Sequence, residues 1–324
     1  MIPPLRQGPP ILLDGAMATE LAQRGFELRA PLFSARALID APELVTQIHL
    51  DYLRAGAQIL TTDSFGLHVD ALAAAGLGPR QAELARRSVA LVEAVRAEAR
   101  SLPGRAHRFR IAGAIPPRPR TASPEPALAR VEYRRYADLL AEAGADLILL
   151  ETFDRLDEAA LALEGLADLD LPVWLSLSAG APVPGSNRPD GARLTSGDPL
   201  RDLPRAWTAG RRPDAALINC TQIDAVPAAL DALDAAVGPD PGLPLGLAPH
   251  LGKRRYDGVW IDRIVDPEVF AEQIHAWMQS RPNYVLAGAC CGSRPSYIAA
   301  MKRWLLPDED ARERAFIRLA QLIP

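Results

Sequence analysis

Eight short apolar runs recur along the chain, and most of them end in small or polar residues. Within these runs the apolar residues are mostly continuous and do not alternate with polar ones. This pattern is typical of strands that are buried on both faces of a parallel sheet. The predicted strands cover residues 11–15, 58–64, 109–115, 146–153, 173–179, 216–221, 245–250 and 284–291.

Segments with apolar residues at helical spacing lie between most of these runs. Each begins at or near an acidic residue or a proline, and two of them end at Gly56 and Gly144, which is typical of helix termini. The predicted helices cover residues 42–56, 81–100, 130–144, 157–169, 198–210, 225–236 and 266–280.

The alternation of eight strands with helices predicts an α/β fold, a single (β/α)₈ TIM barrel. A doubly wound sheet is the weaker alternative, because no Gly-x-Gly-x-x-Gly motif follows the first strand. No change of composition divides the chain, so we expect one domain over residues 1–324. Three loops, 116–126, 180–197 and 251–262, follow predicted strands and are expected at the C-terminal face, where barrel active sites lie.

Composition excludes several classes of partner. The net charge of −4 offers no basic field for nucleic acid. No segment approaches about 18 uninterrupted apolar residues, so no membrane span is expected. The N-terminus lacks a basic start followed by an apolar core, which favours a cytoplasmic location. The three cysteines are an odd number, so a metal or catalytic role is favoured over a disulfide framework.

All three cysteines lie at predicted strand ends. Cys220 ends the sixth strand, while Cys290 and Cys291 end the eighth. These strands are separated by one neighbour, so the three thiols are expected to meet over the barrel mouth, as a zinc ion requires. Neighbouring residues of a regular strand point to opposite faces, so the pair can share one ion only where the strand has ended. Gly288 and Gly292 permit such a bend.

Three protein ligands leave one coordination position open, which is typical of catalytic zinc. His250 ends the seventh strand and is an alternative fourth ligand, although a role on the substrate side is favoured. Cys220 taken alone also fits a buried core cysteine.

The motifs around these cysteines resemble those of the homocysteine S-methyltransferase family, zinc-dependent thiol methyltransferases built on a (β/α)₈ barrel. "GACCGSRPSYI" is similar to the family's Gly-Gly-Cys-Cys-Gly signature, and "LINCT" to its Asn-Cys motif. The resemblance extends over nearly the whole chain. Its other parts are "LLDGAMATELAQRG", "AGADLILLETF", "GRRPDAALINC" and "RRYDGVWID".

The resemblance implies a role for each matching residue. It makes Cys220, Cys290 and Cys291 the zinc ligands and thereby the catalytic residues. It makes Glu151 the carboxylate that receives the substrate's amino group. It makes Asp14, with the backbone of Gly15, Ala16 and Met17, the element that holds the polar end of the substrate amino acid. It makes Asn219 a residue that supports the neighbouring zinc ligand, Cys220.

Two of these residues also fit simpler roles. A glutamate at a strand end, such as Glu151, also fits an ion pair with an arginine. Asp14 also fits a turn residue before Gly15. The functional role is favoured for both, more firmly for Glu151, because an unpaired carboxylate at the barrel mouth is costly.

Some positions depart from the family pattern. They are Ala18, Asp63, Gly66, His250, Ala289 and Tyr297. None is one of the three cysteine ligands. Asp63, Gly66 and His250 are expected at the barrel mouth, so they bear on the identity of the substrate or donor.

The implied reaction is zinc-dependent methyl transfer to the thiol of L-homocysteine, giving methionine. The implied donors are S-methylmethionine or S-adenosylmethionine, with betaine ranked below them. All three are onium cations, which aromatic rings such as Phe65, Tyr256 or Trp260 can hold.

Two alternatives stay open. One is a zinc hydrolase that uses Glu151 or Asp14 as its base. The other is a zinc-binding relative that acts on a different thiol or lacks methyl transfer. The expected partners are a small thiol amino acid and a methyl donor, with homo-oligomerisation left open.

Overall fold

The computed structural model describes residues 8–102, 106–183, 189–207, 210–238, 242–251, 253–254, 260–261 and 265–324. The strands are β1 (Ile11–Leu12), β2 (Ile59–Thr61), β3 (Arg110–Ile115), β4 (Leu147–Phe153), β5 (Val173–Leu177), β6 (Ala179–Ala181), β7 (Asp190–Leu194), β8 (Ala215–Gln222), β9 (Leu245–His250), β10 (Lys253–Arg254), β11 (Trp260–Ile261) and β12 (Tyr284–Ala287). The α-helices within these residues are α1 (Met17–Gln23), α2 (Ala37–Asp40), α3 (Pro42–Ala55), α4 (Val69–Ala74), α5 (Gln81–Glu93), α6 (Val95–Ala99), α7 (Pro126–Glu142), α8 (Leu156–Gly165), α9 (Val226–Val237), α10 (Pro267–Gln279), α11 (Pro295–Leu305) and α12 (Glu309–Leu322).

Eight parallel strands form the barrel, and each corresponds to one of the predicted runs. Their order around the ring is β1-β12-β9-β8-β5-β4-β3-β2. A parallel bridge between Leu13 and Ile59 closes the ring, and the Gln58 N–H donates to the Leu12 carbonyl at 2.7 Å. The predicted (β/α)₈ barrel is confirmed, and β8 and β12 are separated by β9 alone.

The strands are apolar along most of their length because both of their faces are buried. In β4, Leu147 and Leu149 belong to the apolar cluster inside the barrel, whereas Ile148 and Leu150 pack in the layer between sheet and helices. Leu319 of α12 also joins the inner cluster. This side-chain alternation explains why the apolar runs are continuous in the sequence.

The helices differ from the prediction in several places. The segment 81–100 forms two helices, α5 and α6, and the segment 198–210 forms a 3₁₀ helix over Leu200–Trp207, with Pro204 inside it. The predicted loop 180–197 contains β7 and most of β6, which pair as an antiparallel hairpin. The predicted loop 251–262 lies largely outside the described residues.

Five helices of the described residues were absent from the prediction, namely α1, α2, α4, α11 and α12. Among the described residues, none of the helices has both the length and the apolar character needed to cross a membrane.

Candidate metal centre and its cavity

The three cysteine sulfurs converge at the C-terminal end of the barrel. Cys291 Sγ lies 3.7 Å from Cys220 Sγ and 3.9 Å from Cys290 Sγ, and all three sulfurs lie within 4.8 Å of one another. A tetrahedral ion bound by each sulfur at about 2.3 Å would separate the sulfurs by about 3.8 Å. The geometry therefore fits a Cys₃ zinc site.

The Cys290–Cys291 pair lies in a turn after β12, which ends at Ala287. Neighbouring elements fix the turn through backbone bonds. The Cys290 N–H donates to Pro249 O at 2.9 Å, and Cys291 O accepts from the Leu251 N–H at 2.9 Å. Gly292 has φ of 85°, a conformation that favours glycine. Both thiols can therefore point to one place because the pleat of the strand has stopped before them.

The Cys220 side of the site has a strained backbone. Cys220 has φ of 45° and Thr152, near the end of β4, has φ of 63°. Left-handed conformations of non-glycine residues cost about 1–3 kcal/mol and persist where the surroundings impose them. Asn219 Nδ2 donates to Thr152 Oγ1 at 2.9 Å and thereby ties the two strand ends together.

The sulfurs open into a cavity of about 1100 Å³ at the barrel mouth. The structure therefore brings every site residue of the sequence analysis to one place. The cavity wall includes Asp14, Gly15, Ala16, Met17, Glu151, Asn219, Cys220, Cys290 and Cys291.

Glu151 lies in this wall with its carboxylate unpaired. No hydrogen bond or ion pair reaches it from the described part of the chain, so the alternative arginine partner is absent there. Burial, together with the negative charges of Asp14, Cys291 and Asp63, raises its pKa to about 8. A buried carboxylate without a partner is costly, so a cationic ligand is its natural complement.

Asp14 is already engaged by the protein. Its two carboxylate oxygens accept from the Thr61 N–H at 2.8 Å and from Thr61 Oγ1 at 2.9 Å. Burial nevertheless raises its pKa to about 7. The Ala16 N–H donates to Ser293 Oγ at 3.1 Å, so this backbone donor is also occupied. A side chain at Gly15 would lie 2.6 Å from the same Ser293 oxygen, which explains the glycine.

Several residues that support the site were not singled out by the sequence. Besides Thr61, Thr152 and Ser293, Thr19 contributes its Oγ1, which accepts from the Gly292 N–H at 2.9 Å. Single hydroxyl residues carry no pattern of their own, so only their positions next to the recognised motifs offered a signal.

The positions that depart from the family pattern fall into two groups in the structure. Ala18, Asp63, Gly66, His250 and Ala289 line the cavity, which confirms the expected placement of Asp63, Gly66 and His250 at the mouth. Tyr297 belongs to α11, where it is buried and donates its hydroxyl to Val265 O at 2.7 Å.

The other candidate ligands are also placed. The imidazole of His250 does not belong to the cluster of ligand atoms formed by the cysteines in the described part of the chain. Phe65 lines the cavity and is partly exposed. Tyr256 and the Trp260 side chain lie outside what the structure describes.

Comparison with known proteins gives a consistent family assignment. The family model described as homocysteine S-methyltransferase matches residues 11–305. A homocysteine S-methyltransferase of Escherichia coli is 33% identical, over 90% of this chain and 94% of the relative. The homocysteine S-methyltransferase YbgG of Bacillus subtilis is 32% identical, over 91% and 94% respectively. The crystal structure of the E. coli homocysteine methyltransferase MmuM in its metallated form superposes with a TM-score of 0.74 at 29% identity, covering 92% of this chain and 97% of that one.

Proposed function

The chain belongs to the homocysteine S-methyltransferase family, and from that premise we propose that it transfers a methyl group from an onium donor to the thiol of L-homocysteine, giving methionine. We further propose that the reaction depends on a zinc ion held by Cys220, Cys290 and Cys291. The spacing of the three sulfurs is the observation that carries this proposal.

Zinc suits this ligand set and this reaction. A zinc ion supplies a Lewis acid with an open fourth position, which lowers the pKa of a bound thiol. The chain contributes three thiolates, whose negative charge keeps the environment of the incoming sulfur electron-rich. The metallated form of the similar E. coli enzyme supports a metal at this site. A hydrolase is disfavoured, because the zinc of most hydrolases is held by histidine and carboxylate ligands.

The rest of the wall orients homocysteine. Glu151 accepts the substrate ammonium, because it is the carboxylate of the wall that the described residues leave without a partner. Asp14, which Thr61 holds by two hydrogen bonds, adds a second negative charge to this part of the wall. Fixing the ammonium places the substrate sulfur at the cysteine end of the cavity, and such positioning lowers the barrier of an in-line transfer.

The outer wall of the cavity suits a sulfonium donor. Phe33 and Phe65 both line the cavity, and their side chains are 50% and 41% exposed. Aromatic faces attract onium cations, which suits S-methylmethionine or S-adenosylmethionine as the donor, with betaine ranked below them.

The first test removes one sulfur. Cys220→Ser should lower the zinc content of the purified, zinc-resupplied protein from near one ion per chain to a small fraction of that value. Methionine formation should fall by at least about a hundredfold, because two thiolates do not complete the site. Metal analysis, zinc-edge X-ray absorption and the rate with each onium donor measure these effects.

A matched control distinguishes loss of the site from loss of the fold. Ser88→Ala makes a small buried change in α5, outside the cavity, and should keep both zinc and activity. Full zinc and full activity in Cys220→Ser would refute the ligand assignment. Zinc binding and homocysteine binding without methionine from any donor would favour a relative that acts on a different thiol or lacks methyl transfer.

A further inference from the structure

Asp63 is a buried carboxyl group that the proposed reaction has not yet used. It follows β2, lines the cavity and is only 4% exposed. Its Oδ1 accepts from Ser34 Oγ at 2.6 Å, whereas Oδ2 is buried without a hydrogen-bonding partner in the described part of the chain. One oxygen is therefore anchored by Ser34, while the other is left without a partner in a residue that lines the cavity.

Gly66 makes this arrangement possible. A side chain at Gly66 would lie 2.2 Å from the carbonyl oxygen of Leu32 and 2.9 Å from the Cβ of Ala35. The segment that carries Ser34 can therefore approach Asp63 only because Gly66 has no side chain. The two departures from the family pattern in this segment are parts of one local structure.

No cation of the described cavity wall neutralises Asp63. The arginines of the wall pair with other carboxylates. Arg118 bonds Glu158 at 2.8 Å, and Arg120 bonds Asp154 at 2.9 Å. The negative charge of Asp63 also acts on Glu151 and raises the pKa of that residue. The cavity thus holds two carboxyl groups that need a cation, while homocysteine brings one ammonium.

Because Glu151 is assigned to the ammonium of homocysteine, Asp63 is left for the methyl donor. Asp63 follows β2, and β2 lies four strands away from β8 in either direction around the closed eight-stranded ring. Asp63 is therefore placed across the mouth from Cys220, and β2 is two strands from β12, which precedes Cys290 and Cys291. In an in-line transfer the methyl group lies between the two sulfurs, so the body of the donor extends away from the cysteine end.

We propose that the Asp63 carboxylate, anchored by Ser34, binds the α-ammonium group of the methyl donor and thereby selects sulfonium amino acids. This inference rests on the proposed function and deepens it. S-methylmethionine and S-adenosylmethionine each carry an α-ammonium group with N–H donors. Betaine carries a quaternary nitrogen without N–H, so it cannot make this hydrogen bond.

The test compares two donors that differ in one group. S-methylmethionine has the α-ammonium, and its desamino analogue 4-(dimethylsulfonio)butanoate does not. In the zinc-loaded wild type, kcat/KM should favour S-methylmethionine by at least about tenfold, as expected for a hydrogen bond to a charged group. Asp63→Asn should raise the KM for S-methylmethionine by about tenfold or more, reduce the preference to near one, and leave the KM for homocysteine within about twofold.

Two further variants sharpen the result. Ser34→Ala removes the anchor and should produce a smaller loss of the same donor preference. Asp70→Asn removes a carboxylate at the rim of the same cavity, where the side chain is 54% exposed and lies near His68, and should leave the preference unchanged. Circular dichroism establishes that each variant is folded.

The outcomes separate this inference from the proposed function. An active wild type that does not discriminate between the donors overturns the inference. An Asp63→Asn variant whose kcat/KM falls by the same factor with both donors also overturns it. A wild type that is inactive with every donor refutes the proposed function instead. In that case equilibrium dialysis of both sulfonium compounds against zinc-loaded wild type and Asp63→Asn decides the inference, and equal binding by the two proteins overturns it.

Discussion

At the scale of single residues, the carboxyl groups of the cavity differ in which partners they have. Glu151 has no partner in the described part of the chain, and burial raises its pKa to about 8. Asp14 lies in the wall of the same cavity but is bonded twice by Thr61. Two carboxyl groups of one cavity therefore differ in their contacts, because only Asp14 is held by hydrogen bonds from the described part of the chain.

Glu151→Gln should weaken homocysteine binding specifically. Loss of the charge removes the partner of the substrate ammonium, so the KM for homocysteine should rise about 10- to 100-fold. The rate with 4-mercaptobutanoate, which lacks the amino group, should change little. Steady-state kinetics with both acceptors measures the effect, and Glu98→Gln, an exposed carboxylate in α6, serves as the control. An equal loss with both acceptors would argue against ammonium binding by Glu151.

At the scale of elements, the ends of the strands determine the geometry of the metal centre. Near the ends of β4 and β8 the backbone adopts left-handed conformations at Thr152 and Cys220. The Asn219–Thr152 hydrogen bond links these ends across β5. The link joins β4, which carries Glu151, to β8, which carries the proposed metal ligand Cys220.

Thr152→Val should remove the hydrogen bond from Asn219 while the side chain keeps nearly the same shape. The buried Asn219 amide then loses its acceptor, at a cost of about 1–3 kcal/mol. We expect zinc affinity to fall by about tenfold, measured by competition with a chelator. Thr152→Ser retains the hydroxyl and should behave as the wild type. Unchanged zinc affinity in Thr152→Val would show that the bond does not position Cys220.

At the scale of the whole molecule, the barrel gathers carboxyl groups whose burial makes its stability depend on pH. Burial raises the pKa of Asp63 from 3.8 to about 7. A carboxyl group whose pKa is higher in the folded than in the unfolded state stabilises the fold fully below about pH 4. This contribution is lost as the pH rises through about 7.

Asp63→Asn should remove this dependence. The free energy of unfolding of the wild type, relative to that of the variant, should fall between pH 4 and pH 7 on the order of 1 kcal/mol per pH unit. Urea denaturation of both proteins at four pH values in this range gives the difference directly. A constant difference across the range would show that Asp63 does not change its protonation there.

The described fold agrees with the sequence where local patterns suffice. Continuous apolar runs predicted the eight strands, because strands buried on both faces need apolar side chains on both. The strand order then predicted the convergence of the cysteines, since β8 and β12 are two positions apart in the ring. The helix break at Ala94 and the hairpin of β6 and β7 were missed, because loop conformations leave little trace in apolar spacing.

The sequence by itself determined the barrel, the three converging thiols and the family to which the chain belongs. Only the tertiary structure decided which polar groups are free and which are occupied. The Ala16 N–H is taken by Ser293, 277 residues away, and one oxygen of Asp63 is held by Ser34. Such contacts join segments that are distant in the chain, so they depend on how the loops pack together, and no local pattern of residues encodes them.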